Sequence, residues 1–244
     1  MARSVMLVLA LAAAAAIPRT AAAQEEAPLR LSKFDVGLEG AVAQPLGAFK
    51  DEVNVAGGAT LHGAYHFTPV ASLRAEVTYL IYGHERQDVC GPSSCRVMLD
   101  LSTNNQIVSG FIGPQFEVPT GPIRPYVRGG IGFGYFFTSS SLTGSGDVGS
   151  FADTNNYDDG AFALMGGGGM KIPFQIRQVP VSIDFGAQYQ RNGDVSYLRK
   201  GSIVDHADGS YTMYPIAGPA DFVQYHLGFS VTVPHSTGHH HYRH

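Results

Sequence analysis

Tryptophan is absent from this chain of 244 residues, and cysteine occurs only twice. Two cysteines are too few for a disulfide scaffold or a zinc ribbon. Charge is sparse too: Asp, Glu, Lys and Arg make up 15% of the chain. Sixteen basic side chains against 20 acidic ones give no electrostatic case for nucleic-acid binding. Apolar residues nevertheless reach 44%, which excludes a disordered polymer. Long apolar runs are missing beyond the N-terminus, where no stretch reaches 18 consecutive residues, so no transmembrane helix is expected there. If the mature chain crosses a membrane, only a closed barrel of strands remains. What is plentiful is glycine, at 30 residues, together with 14 Phe and 12 Tyr.

The first 23 residues read as an export signal. Arg3 supplies a positive start, residues 5–16 form a short apolar run, and Thr20-Ala21-Ala22-Ala23 offers a small-residue cleavage site before Gln24. The run is too short to span a bilayer as a helix. Cleavage removes Arg3 and Arg19 and leaves 14 basic against 20 acidic side chains, net −6. Residues 24–32 form a lead-in, residues 33–233 the folded domain, and residues 234–244 a tail.

From residue 33 onward the hydrophobic period is two, which predicts strands. In residues 222–233, Val223, Tyr225, Leu227, Phe229, Val231 and Val233 share one parity, and Gln224, His226, Gly228, Ser230 and Thr232 the other. Similar alternation marks residues 34–44, 55–67, 73–82, 124–137, 161–174 and 181–190, and less cleanly 107–118, where Ile107 and Phe111 break the pattern. Eight strands follow. Their connections alternate strictly: tight turns near residues 68–70, 119–123 and 175–179, longer loops at 45–54, 83–105, 138–159 and 191–220. An eight-stranded antiparallel up-and-down meander with both ends on one side gives this arrangement.

Period alone does not say which parity faces inward. A soluble lipocalin-like barrel would turn its apolar side chains in, whereas a membrane barrel turns them toward lipid. The polar parity here is rich in small residues, among them Gly37, Gly130, Gly132, Gly134, Gly167, Gly169, Gly186 and Gly228, and poor in lysine. A strand glycine costs about 0.5–1 kcal/mol relative to alanine, so such a series suggests a narrow interior rather than a solvated face. The apolar parity carries aromatics near strand ends (Phe34, Tyr65, Tyr79, Phe137, Tyr189), as two interfacial girdles would. The expected fold is an all-β transmembrane barrel.

Leader, alternating strands, turn and loop pattern and the closing strand at residues 222–233 together resemble the small outer-membrane β-barrel superfamily of OmpA, OmpX and opacity-type proteins. The resemblance covers about residues 33–233. It implies a bacterial outer-membrane protein with periplasmic turns and surface loops. Its implied partners are membrane lipid, lipopolysaccharide and the barrel-assembly machinery, with no cofactor. Many members end on a terminal aromatic, whereas here His235 to His244 follow the last strand. Lipid A-modifying members imply a His-x-Ser pair on one strand face. His62-Gly63-Ala64 and His226-Leu227-Gly228 lack that serine, and Asp158-Asp159 and Asp205-His206 lie in loop segments, so no enzymatic activity is expected.

The polar parity places Asp35, Glu39, Glu76, Glu117 and Asp184 in the lumen, with Arg74, Arg128 and Lys171 and the histidines His62, His66 and His226. Isolated ions buried in so narrow a space cost several kcal/mol each, so these groups should pair. Three uses stay open: a charge network that plugs a structural, surface-interacting barrel, a gated passage for small solutes, and a metal or catalytic role for the histidines. Cys90 and Cys95 are expected to form a disulfide in an oxidising compartment. His239, His240, His241 and His244 are a weak candidate metal site, or else part of an inert tail.

Overall fold

The computed structural model describes residues 33–53, 55–90, 98–144, 150–198, 202–206 and 211–233. The expected leader, the lead-in, Cys95 and the histidine-rich tail lie outside them. Ten elements carry the fold: β1 (Phe34–Pro45), α1 (Gly47–Glu52), β2 (Ala56–His66), β3 (Ala71–Cys90), β4 (Met98–Glu117), β5 (Arg124–Gly144), β6 (Ser150–Ile176), β7 (Val179–Asn192), β8 (Asp194–Tyr197) and, last among the described residues, β12 (Phe222–Val233). Three short strands, β9 (Ile203–Asp205), β10 (Tyr211–Met213) and β11 (Ile216–Pro219), lie between β8 and β12.

β1 to β7 and β12 close into one antiparallel barrel in sequence order. Closure is made by β1 and β12, paired from Phe34↔Val233 to Pro45↔Phe222, which leaves neither strand with an open edge in the ring. No helix among the described residues is long and apolar enough to cross a membrane. The turns at residues 67–70, 118–123 and 177–178 share one end with Phe34 and Val233. In the tightest of them Arg177 and Gln178 both adopt positive φ, 47° and 71°, as a two-residue hairpin requires.

The two parities are resolved along most of the barrel among the described side chains. Leu227 is 63% exposed while its neighbour His226 is 4% exposed; Leu38 is 62% exposed beside Glu39 at 0%. Greasy side chains therefore point outward and ionisable ones inward, the reverse of a soluble barrel, and the lipocalin-like alternative is overturned. The aromatic belts sit at both ends. Tyr65 and Phe67 meet edge to face at the turn end. Near the other end the Tyr135 hydroxyl donates to Asp158 (2.6 Å) and the Tyr189 hydroxyl to Asp221 (2.7 Å), so each ring lies against lipid with its polar tip satisfied.

Two sequence expectations need correction. Residues 83–105 and 138–159, expected as loops, are largely strand: β3, β4, β5 and β6 run for 20, 20, 21 and 27 residues and rise past their neighbours as a four-stranded wall. Their ladders continue to Cys90↔Met98, Leu99↔Gly144 and Thr143↔Ser150. Beyond the hydrocarbon neither face meets lipid, so the alternation that marks a membrane strand is lost while backbone pairing persists. The irregular pattern of residues 107–118 also has a cause. Ile107 and Phe111 point inward, Ile107 into an apolar cluster and Phe111 against Ala163 and Met165.

That apolar cluster fills the loop end of the lumen. The turn of helix α1 brings Phe49 and Val53 under the rim, where they pack with Leu80, Tyr82, Ile107, Phe136, Val195, Tyr197, Ala220 and Phe222. Phe49 lies 5.0 Å from Tyr197 and 6.0 Å from Tyr82, centroid to centroid, in edge-to-face contact. Each buried aromatic of this kind stabilises the rim by the area it removes from water and by ring geometry.

Candidate functional site

Below the apolar plug the lumen is lined by the inward parity, and all eight ionisable residues assigned there by alternation point into it, as do the three histidines. They form two layers. Near the turn end, Lys171 Nζ lies 2.8 Å from Glu117 and 3.7 Å from Asp35, and His66 Nε2 2.8 Å from Asp35. Gln115 donates to the same Glu117 oxygen at 3.2 Å.

The middle layer is drier. Arg74 contacts three carboxylates, Glu39 and Glu76 at 2.9 Å each and Asp184 at 3.6 Å. Arg128 reaches Glu76 at 2.8 Å and donates to the Gln188 amide oxygen. His62 Nδ1 lies 3.0 Å from Glu39. All these side chains are under 5% exposed, and pairing is what makes their burial tolerable, since removing one partner of such a pair typically costs about 3–5 kcal/mol.

Alternation did not single out several members. Tyr126 donates to Asp184 at 2.8 Å and lies 2.9 Å from His226 Nε2, while Lys171 and Arg128 sit 5.8 and 5.9 Å from its ring centroid. It joins the two charged layers. Its even position in β5, shared with Arg128 and Gly130, was the available signal. Gln188 also donates to Glu76 at 3.2 Å. Above the ions comes a neutral layer, where Gln224 donates to Thr60, Thr60 pairs with Thr78, and Gln190 donates to Ser109 and Asn192.

One group among the described residues has metal-ligand chemistry: donor atoms of Glu39, Asp184 and His226 lie within 4.8 Å of one another. Arg74 already stands between its two carboxylates, so a fixed guanidinium supplies the positive charge there. The arrangement serves ion pairing better than metal capture.

An outer wall of lipid-facing side chains, a closed ring of eight strands and a packed polar interior are the geometry of a membrane barrel. A family model for the outer membrane protein beta-barrel domain matches residues 7–230. The chain belongs to that family. Its members' location, the bacterial outer membrane, follows for this barrel. No curated protein sequence matches significantly. Similar solved structures include Neisserial surface protein A (16% identity, 82% of this chain and 97% of that one, TM-score 0.37). Ail, the attachment invasion locus protein of Yersinia pestis, matches at 13% identity over 82% and 95% of the two chains, TM-score 0.35. The outer membrane protein OprG from Pseudomonas aeruginosa matches at 13% identity over the same shares, TM-score 0.45.

Proposed function

We propose that this protein is a closed outer-membrane barrel of structural and surface-interacting type, which displays the β3–β6 wall outside the cell and conducts nothing. The carrying observation is the double seal of the lumen: an apolar plug around Phe49 at one end, and ion pairs centred on Arg74 and Glu76 below it. A passing solute would have to unpack the first and separate the second, and breaking even one buried pair costs about 3–5 kcal/mol. The wall supports the interaction half of the reading. Its two middle strands carry Ser102, Thr103, Asn104, Ser139, Ser140 and Ser141, half-buried hydrogen-bonding groups of which Thr103 and Ser140 bond across the strands at 2.8 Å.

Planar-bilayer recording of the refolded protein tests the proposal. Silence at all voltages is the expected result. Discrete, reproducible openings would overturn it in favour of a narrow channel for small solutes.

A further inference from the structure

The lipid-facing wall is not uniformly convex. On β2, β3 and β4 the outward positions Gly63, Ala75 and Gly110 are small, and they floor a trough of about 550 Å³. Register makes it continuous, because Gly63 pairs with Ala75, Ala75 with Ile112, and Val77 with Gly110. Two rings close its ends. Phe34 leans over Gly63, where an added Cβ would meet Phe34 Cζ at 3.3 Å, and Phe133 leans over Gly110, where the corresponding contact would be 2.9 Å. From β1 to β5 the trough crosses four strand spacings, about 19 Å, the length of an extended palmitoyl chain.

The trough is oriented. Phe34 is the first residue of β1 at the turn end, whereas Phe133 lies well inside β5, so the trough climbs from the turn-side interface toward the bilayer centre. Lys33 immediately precedes the first residue of β1, outside its ladder, and is exposed and, among the described residues, without an ion-pair partner. The nearby acids Asp35 and Glu117 are turned into the lumen and engaged with Lys171.

We propose that this trough is a site for one phospholipid of the periplasmic leaflet, its acyl chain laid across Gly63, Ala75 and Gly110 and its anionic headgroup phosphate paired with Lys33. The inference rests on the membrane-barrel reading, with turns facing the periplasm. A chain held there fills a groove that mobile lipid would fill poorly, and the ammonium selects anionic over zwitterionic headgroups.

The test is native mass spectrometry of the folded full chain released from vesicles of equal phosphatidylglycerol and phosphatidylcholine, with a parallel arm containing lipid A. One retained phosphatidylglycerol, favoured several-fold over phosphatidylcholine, is expected. Ala75→Phe fills the trough from the lipid side and should abolish retention; Gly63→Leu serves if that variant misfolds. Lys33→Gln should keep the lipid but lose the headgroup preference. Equal retention by the filled variant, no retained lipid, or displacement by lipid A would each overturn the site. Heat-modifiable gel migration of every sample reports barrel formation separately, so a failed barrel and a failed lipid site give different results.

Discussion

At the residue scale the luminal glycines are sockets for the network. A Cβ on Gly37 would sit 2.3 Å from the His62 ring and 2.8 Å from the Phe229 carbonyl oxygen; one on Gly228 would sit 2.1 Å from the Leu38 carbonyl oxygen and 2.9 Å from Glu39 Cγ. The backbone and the buried imidazole or carboxylate claim the space that a methyl would need. Gly37→Ala is therefore expected to lower stability by about 1–3 kcal/mol, the usual cost of overpacking. Gly40→Ala, on the lipid face with its nearest neighbour at 3.7 Å, should be neutral or gain up to about 1 kcal/mol. Urea midpoints for loss of the compact gel band measure both, and equal midpoints would refute the socket account. The inward direction of Glu39 or Arg74 was legible from parity. Their partners were not, because Arg74 meets Glu39 35 positions away and Arg128 meets Glu76 52 positions away, separations that only ring closure brings to contact.

At the scale of elements, the segment after β7 shows what local pattern omits. β8 is four residues long, yet it sends Val195 and Tyr197 into the plug and is tied to β6 through its backbone: Ser196 N–H donates to Asp159 at 2.8 Å. Asp159 stands at the exposed rim, and this N–H, with that of Gly160, holds its carboxyl below the ordinary range. A carboxyl lowered in the folded state contributes above its unfolded pKa and loses that contribution as pH falls through its folded pKa. Docking of β8 should thus be intact at neutral pH and loosen in acid below the ordinary carboxylate range. Amide exchange at Ser196 should speed up there, and Asp159→Asn should give faster exchange already at neutral pH. Exchange that is equally slow in the variant would show that the plug alone holds β8. The upper halves of β3 to β6 were unreadable for a related reason: polar strands outside lipid keep their pairing and lose their period.

For the whole molecule, the decisive property is the inverted polarity, and Leu227 at the centre of β12 reports it. Leu227→Arg places a guanidinium in hydrocarbon and should cost about 2–4 kcal/mol near the bilayer midplane. Folding yield into lipid vesicles against urea checks this, and wild-type yield would mean that this face does not meet lipid. The number of barrel strands, their order and the facing of most side chains in their lipid-facing stretches were contained in the sequence, because alternation is a local response to two media, one on each side of a pleated strand. Which ions pair, that Tyr126 links two charged layers, and that α1 and β8 cork the lumen with Phe49 and Tyr197 were settled only by the closed barrel. Those contacts join residues far apart in the chain, and nothing in the neighbourhood of either partner encodes the distance at which the ring will bring them together.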